Sequence, residues 1–140
     1  MRHGRFLLNV MEPVMSSSLV RSRINAFHRQ SGRCIYCNLP MWSNHPEQFA
    51  QAYGVTLRQA RILRCTGEHL HARQDGGTTA QSNIVAACLY CNQGRHRQKC
   101  PPSPEAHRQR IRQKIARGLW HGPWVFKSSL VMEGRWLLTK

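Results

Sequence analysis

Cys34-Ile-Tyr-Cys37 and Cys88-Leu-Tyr-Cys91 are the two stretches of the sequence that decide the fold. Each pair has the C-x-x-C spacing that allows both sulfurs to point at one ion, so the two pairs together offer four thiolates. Four thiolates suit one tetrahedral zinc ion, and we therefore predict a structural Zn²⁺ site. Because the pairs are far apart in the chain, that ion would fasten two separate segments together.

The charge balance points to a polyanionic partner. The chain has 140 residues, with 21 Lys+Arg against 6 Asp+Glu, which gives a formal net charge of +15. Such an excess raises self-repulsion unless a polyanion neutralises it, so nucleic acid is the leading partner and an anionic membrane the second. The length predicts one domain with a modest core.

Membrane insertion and secretion are disfavoured by the hydrophobic pattern. No apolar run approaches the roughly 20 residues of a spanning helix, and the early patch Phe6-Leu7-Leu8 is too short for a signal peptide. We expect no membrane partner and a cytoplasmic protein with reduced thiols, where C-x-x-C pairs favour a metal over disulfides. Cys65 is then expected in the core and Cys100 at the surface.

Helices are predicted on both sides of the central segment, between a flexible arm and an aromatic extension. We expect a flexible N-terminal arm at 1–17, a helix at 19–29 capped by Ser18, and a domain that extends to residue 118. Within that domain, 44–63 reads as a helical insert and 104–117 as a basic helix that begins at Ser103-Pro104-Glu105. The aromatic residues of 119–140 are spaced for short strands or a packed extension, and we expect this segment to pack on the domain.

The insert at 44–63 allows two interpretations. Its two helical segments resemble a helix-turn-helix, with Arg58, Arg61 and Arg64 on the second helix. A plain helical hairpin that fills the space between the cysteine pairs is the preferred interpretation, because two helices without a clear third make an incomplete DNA reader.

The centre of the sequence predicts a small hairpin followed by a helix. Residues 63–70 read as one strand, Gly76-Gly77 as a turn signal, 83–88 as a second strand, and 92–99 as a helix. The predicted fold class is α+β: a two-stranded hairpin and one helix, fastened by the zinc site and surrounded by further helices.

Four polar residues in this centre could assemble a hydrolytic site. Asn92 and His96 lie four residues apart on one helix face, and Glu68 lies on the strand expected beside it. A carboxylate, an amide oxygen and an imidazole suit Mg²⁺ or Mn²⁺. His69 has an ordinary pKa suited to accepting a proton from water near neutral pH, although on a regular strand it would point away from Glu68. Asn92 could also cap its helix.

At this point the chain resembles the HNH endonucleases, also called ββα-metal nucleases. The shared pattern comprises the two cysteine pairs, Glu68-His69, Gly76-Gly77, Asn83-Ile84-Val85 and the Asn92…His96 segment, within residues 20–99. The resemblance implies that His69 is the general base, that Asn83 pins the loop and orients that base, and that Glu68 and Asn92 bind the catalytic cation. His96 matches a further metal-binding position of some members.

Three residues depart from the family pattern, one of them Ala72, which stands where proline is usual. Glu68 stands where aspartate is usual, so its carboxylate reaches one methylene further. His71 replaces an apolar residue, and it could be an extra ligand, a phosphate donor or a plain polar substitution.

The resulting hypothesis is a metal-dependent DNA endonuclease, bacterial or phage-encoded, acting as a monomer or homodimer on no small-molecule substrate. Its cofactors are structural Zn²⁺ and catalytic Mg²⁺ or Mn²⁺. Two alternatives remain open: a non-catalytic, zinc-stapled DNA-binding protein with a decayed site, and an RNA-binding zinc protein. The basic residues expected on DNA are Arg95, Arg97, Lys99, Arg108 and Arg112.

Overall fold

The computed structural model describes residues 17–131. The predicted N-terminal arm therefore lies outside the described residues except for Ser17, and so does the part of the aromatic extension at 132–140. In the part of the chain that is described, no helix has the length and apolar character needed to cross a membrane.

A two-stranded antiparallel hairpin forms the centre of the fold. Strand β1 (Cys65–His69) pairs with β2 (Ile84–Cys88) in the register Cys65↔Cys88 to His69↔Ile84. The open end of the hairpin therefore carries Cys88, while the loop end carries His69. Four of the five β2 residues are fully buried, as expected for a short apolar strand between packed helices.

Within residues 17–131, six helices accompany the hairpin, and this mixture of elements confirms the α+β class. In chain order they are α1 (Ser18–Arg29), α2 (Pro46–Tyr53), α3 (Leu57–Arg61), α4 (Leu89–His96), α5 (Pro104–Ala116) and α6 (Pro123–Lys127). Two short 3₁₀ turns, Arg73–Asp75 and Gln81–Asn83, lie in the loop between the strands.

Helix α1 covers one face of the hairpin. A side chain at Gly67 would meet Leu19 at 3.1 Å, so this glycine permits the close contact between helix and strand. The amide of Gln30 accepts a hydrogen bond from Ala86 N and donates one to Ala86 O, which ties the end of the helix to β2. The N-cap is Ser17, which accepts from Val20 N, so the expected cap at Ser18 was one residue late.

Helix α4 covers the opposite face, and it begins earlier than the sequence indicated. Its first residue is Leu89, three before the predicted start at Asn92, because Cys88 acts as the N-cap and its sulfur accepts from Cys91 N at 3.4 Å. The second cysteine pair is thus itself the first turn of the helix. Asn92 lies inside the helix and is not its cap.

The insert forms a short hairpin of helices, α2 and α3. Gly54 adopts a left-handed conformation between them, and Thr56 with Gln59 forms a capping box at the start of α3. Helix α3 ends after 5 residues, and α2 and α3 contact each other, which favours the plain hairpin over a DNA-reading unit.

The described part of the aromatic extension is not made of strands. It turns at Gly118 and continues into the short helix α6, which begins with Pro123 as its first residue. Val125 and Leu130 are buried in the same core as the cysteines and α5. The short-strand alternative is therefore not observed at residues 119–131, where proline and a local helical turn satisfy this backbone instead.

Candidate active site and metal centre

Four buried cysteines meet at the open end of the hairpin. The sulfurs of Cys34, Cys37, Cys88 and Cys91 all lie within 4.8 Å of one another. Sulfurs bound to one tetrahedral zinc at about 2.3 Å are about 3.8 Å apart, so this arrangement fits a single ion after minor adjustment. The donor set is that of a closed structural site, since all four positions are protein sulfurs.

The surrounding groups favour a thiolate at Cys34, whereas burial raises the pKa of the three other thiols. Cys34 Sγ accepts backbone hydrogen bonds from Tyr36 N at 3.4 Å and Cys88 N at 3.3 Å. The indole of Trp120 donates to Cys91 Sγ at 3.2 Å. Burial acts to raise the pKa of Cys34, but hydrogen bonds from the three other thiols lower that pKa well below its usual value. One thiolate is thus stabilised by its neighbours alone.

The C-terminal segment covers this cluster. Trp120 packs against Gly94, where an added side chain would meet the indole at 2.9 Å, and its ring stands edge-on to Tyr90. His121 stacks on Tyr90 at 4.6 Å, and burial lowers the pKa of His121 to about 4. Neither ring nitrogen of His121 has a hydrogen-bond partner among residues 17–131. The aromatic content of 119–140 predicted a packed extension, but no local pattern indicated its contact with the cysteines.

An open cavity of about 670 Å³ lies toward the other end of the hairpin. It brings together four residues that the sequence singled out for chemistry: Glu68, His69, Asn92 and His96. The remaining lining residues are Gly67, Ala72, Arg73, Gln74, Gln98, Lys99 and Pro101.

The alignment of α4 along β1 explains this assembly. Asn92 Nδ2 donates to Thr66 Oγ1 at 3.0 Å, and His96 Nε2 is 3.0 Å from Glu68 Oε1. Four residues of helix advance about 6 Å, and two residues of strand advance about 6.8 Å. The two spacings match, so successive turns of α4 meet alternate residues of β1.

Glu68 is the buried acid of the cavity, and it is only partly satisfied. The residue is 1% exposed, and its Oε1 accepts from Arg95 at 2.8 Å as well as contacting His96. Its Oε2 has no hydrogen-bond partner within the described part of the chain. Burial, and next the negative charge of Glu68, raise the pKa of the nearby Tyr36 far above its usual value, so the phenol stays protonated.

The polar groups around Glu68 fit a hard cation. Oε2 of Glu68 is a buried oxygen that accepts no hydrogen bond from residues 17–131. Asn92 uses its Nδ2 as a donor, which leaves Oδ1 as an oxygen donor to a metal. Cis ligands of an octahedral Mg²⁺ at about 2.1 Å are about 3.0 Å apart, which is the separation of Glu68 Oε1 and His96 Nε2. Among residues 17–131, only the cysteines form a group of three or more His, Cys, Asp or Glu close enough to share an ion. The cation position therefore needs the amide, water or substrate to be complete.

His69 faces the same cavity although it follows Glu68 directly in the strand. It is the last residue of β1, where the regular alternation ends, and it lies on the cavity wall. Its Nε2 is buried and has no hydrogen-bond partner among the residues described. Burial lowers the pKa of His69, and the positive charge of Arg73 lowers it further. The imidazole is therefore neutral near pH 7, the form that accepts a proton.

Asn83 fastens the loop that follows His69. Its Oδ1 accepts from His71 N at 2.8 Å, and its Nδ2 donates to His71 O at 3.1 Å and Thr78 O at 2.7 Å. The loop closes tightly at Gly77, where a side chain would lie 1.8 Å from His71 O. This geometry agrees with the pinning role implied by the resemblance. His71 is exposed and does not line the cavity.

The basic residues expected on DNA separate into two groups. Arg97, Lys99 and Arg108 are exposed, and Arg112 is half-buried. Arg95 differs: it is 5% exposed and its guanidinium contacts Glu68, so the structure corrects its assignment as a surface phosphate contact. A buried cation needs a buried partner, and the nearby carboxylate provides one.

Two residues that the sequence analysis overlooked belong to the site. Arg73 lines the cavity beside His69, and its position in the loop after Glu68-His69 was an available signal. Tyr36 lies inside the first cysteine pair. That position gave no indication that the Tyr36 hydroxyl would interact with the buried carboxylate of Glu68.

The comparison with known protein families agrees with this site. Residues 57–98 match the family model described as HNH endonuclease, a span that contains the hairpin, Asn83 and all of α4. No curated protein and no solved structure matches the chain. The matched span includes the second cysteine pair but not the first, which the fold brings to it. Residues 57–98 are thus similar to the HNH endonuclease family, as the resemblance implied.

Proposed function

We propose that this protein is a metal-dependent endonuclease that hydrolyses phosphodiester bonds of DNA. The observation that carries the proposal is the cavity itself. It gathers a partly unsatisfied carboxylate, an amide and two imidazoles, with cationic side chains at its rim. That set can hold a cation, accept a proton and attract a phosphate, which are the three tasks of phosphodiester hydrolysis.

His69 is the proposed general base. Its imidazole would accept a proton from water as the water attacks phosphorus, and its lowered pKa keeps it neutral for that task. Asn83 is a positioning residue, because its three hydrogen bonds hold the backbone immediately after His69. The free edge of the imidazole can therefore stay directed into the cavity.

Glu68, Asn92 and His96 are the proposed holders of Mg²⁺ or Mn²⁺. When bound, that cation would stabilise the negative charge that develops on the phosphate and on the leaving oxygen. Glu68 contributes its carboxylate and Asn92 its Oδ1, and His96 lies close enough to Glu68 to share the ion. Zn²⁺ in the four-cysteine cluster is proposed as purely structural.

Substrate binding is assigned to exposed cations. Arg73 and Lys99 lie on the cavity wall, where they can contact the phosphates beside the cleaved bond. Arg97 follows the end of α4, and Arg108 and Arg112 lie on α5. These three would position the nucleic acid without reading its sequence. Residues 18–118 would form the nuclease unit, with the described part of the extension as its cover.

One alternative has a specific observation in its favour. Arg95 occupies one oxygen of Glu68, and the carboxylate belongs to glutamate where the family has aspartate. A DNA-binding protein whose cation site has decayed would tolerate such an ion pair. The two functions differ in one outcome, which is cleavage.

Plasmid nicking separates the two functions. Supercoiled plasmid is incubated with the zinc-loaded protein and Mg²⁺, Mn²⁺ or EDTA, and the His69→Ala variant is run beside it. We expect nicked circles with either cation, none with EDTA, and strong loss in the variant with DNA binding retained. The absence of cleavage with every cation, from protein that holds zinc and binds DNA, would favour the non-catalytic alternative.

A further inference from the structure

Arg95 and Glu68 form an ion pair beside the cavity, and more hydrogen bonds hold this pair in place than binding of a metal cation requires. Arg95 donates from one nitrogen to Glu68 Oε1 at 2.8 Å and to His69 O at 3.4 Å. Its Nε donates to Pro102 O at 2.9 Å. Three acceptors on two segments, β1 and the turn at Pro102, therefore fix the guanidinium beside the carboxylate.

Arg95 changes the charge that an arriving cation meets. Glu68 is the one acidic residue on the cavity wall within residues 17–131, and Arg73 and Lys99 on the same wall are cationic. With Arg95 in contact with Glu68, the local set holds one negative and three positive side chains, before either histidine is considered. A divalent cation is repelled by such a set unless another negative charge is present.

A nucleic-acid phosphate provides that charge. Its oxygens are hard ligands, and Mg²⁺ characteristically binds through one or two carboxylates together with substrate phosphates. The partner-free Oε2 of Glu68 and the amide of Asn92 would then complete the ligand set only when a phosphate lies in the cavity.

We propose that Arg95 is a positioning residue that makes binding of the catalytic cation depend on nucleic acid. It holds Glu68 in place and neutralises its charge, so the free protein binds the cation weakly and the protein–DNA complex binds it well. Because binding free energies are linked, the cation must tighten DNA binding by the same factor. This inference rests on the proposed function, since it concerns the same cation.

Binding of Mn²⁺ measured by electron paramagnetic resonance tests the proposal without relying on cleavage. All proteins carry His69→Ala, which preserves a short DNA duplex, and the duplex alone is titrated as a control. We expect the DNA complex to bind Mn²⁺ at least about tenfold more tightly than the free protein, given the size of charge effects at a few ångströms. Equal affinity with and without DNA, or no protein-dependent Mn²⁺ binding at all, would overturn the proposal.

A set of arginine variants identifies the residue responsible. Arg95→Gln should tighten Mn²⁺ binding to the DNA-free protein by about tenfold or more, whereas Arg95→Lys keeps the charge and should leave binding weak. Arg97→Gln is the matched control: it removes the same charge from an exposed position of the same segment, and it should change affinity less than about twofold. Equal effects of the two glutamine variants would contradict a specific role for Arg95.

Folding and function are monitored separately. Zinc content and thermal unfolding report whether each Arg95 variant is folded. If a variant is not folded, the comparison of Mn²⁺ affinity with and without DNA, made on the protein that keeps Arg95, still tests the proposal. Nicking by the protein with native His69 reports the proposed function. If the protein cleaves DNA but binds Mn²⁺ equally well with and without DNA, this inference alone is refuted. If it does not cleave DNA with any cation, the proposed function is refuted.

Discussion

The two ends of the hairpin present opposite kinds of site. At the open end, four sulfurs are buried, surrounded by N–H donors and covered by Trp120. At the other end, the cavity is open, Glu68 has a buried oxygen without a partner among residues 17–131, and cations line the wall. The first site supplies every ligand itself, whereas the second is completed by molecules from solution.

The contrast separates stability from function. A site whose ligands all come from the protein can hold its ion permanently, and the ion then contributes to folding. A site whose polar groups lack partners can still bind a ligand through them, which is typical of a substrate-binding pocket. Changes at the sulfur cluster should therefore affect folding, and changes at the cavity should affect turnover.

Removal of one sulfur should have the largest effect. Cys37→Ser leaves three thiolates in a buried site, and we expect loss of zinc and of cooperative unfolding, because structural zinc contributes on the order of 10 kcal/mol. Elemental analysis and calorimetry measure both. Cys100→Ser is the control. Because Cys100 is exposed, this variant should bind zinc and unfold as the native protein does. Native-like unfolding of zinc-free Cys37→Ser would contradict a structural role for the cluster.

Loss of the proposed base should abolish turnover without unfolding the protein. For His69→Ala we expect the nicking rate to fall by about 10²–10⁴-fold, with zinc content and DNA affinity retained. The adjacent His71 is exposed and outside the cavity, so His71→Ala should remain within about threefold of the native rate. If both variants lose activity equally, the effect belongs to the loop and not to the base.

Loss of the loop fastening should have an intermediate effect. Asn83→Ala leaves the backbone of His71 and the carbonyl of Thr78 without their partners, and we expect about 10- to 100-fold slower nicking because His69 is less well placed. Gln81→Ala, in the exposed part of the same turn, serves as the control. An unchanged rate in Asn83→Ala would remove this residue from the site, and an unfolded protein would make its role structural.

Loss of the indole donor should affect only the sulfur cluster. Trp120→Phe keeps an aromatic ring over Gly94 but removes the N–H bond to Cys91 Sγ. We expect zinc transfer to a colorimetric chelator about tenfold faster, because outer-shell hydrogen bonds tune metal affinity. Trp124→Phe provides the comparison. A similar acceleration in both variants would attribute the change to general loosening of the cover.

Acid should destabilise the cover through His121. Its pKa of about 4 in the folded protein is below the unfolded value near 6.5, so the unfolded chain binds more protons as pH falls. The stability that this neutral histidine contributes is present above pH 6.5 and declines toward pH 4, by at most about 3 kcal/mol. The free energy of unfolding of His121→Asn, measured with denaturant, should fall less steeply between pH 6.5 and pH 4 than that of the native protein. A parallel decline in both proteins would show that His121 is not responsible.

Local sequence patterns were sufficient to predict much of both sites. Cysteine spacing identified the sulfur cluster, and the distance of four residues between Asn92 and His96 placed both on the face of α4 that meets Glu68. Those patterns operate within one helix turn or one strand, where geometry is fixed by the backbone. They are therefore readable without tertiary structure.

Other features depended on packing between distant segments. The burial of Arg95 requires Pro102 and β1 to meet α4, and no local pattern separates it from its exposed neighbour Arg97. The early start of α4 followed from a sulfur acting as a cap, a role outside the usual capping residues. Trp120 reaches Cys91 only because the chain returns after α5.

Anomalous diffraction from one crystal would test the contrast between the two sites most directly. The His69→Ala protein, loaded with zinc, is crystallised with a DNA duplex and Mn²⁺, and data are collected at the absorption edges of both metals. We expect zinc among the four sulfurs and manganese between Glu68, Asn92, His96 and a DNA phosphate. Manganese elsewhere, or DNA bound away from the cavity with Glu68 still paired only to Arg95 and His96, would contradict the assignment of this cavity as a nuclease site.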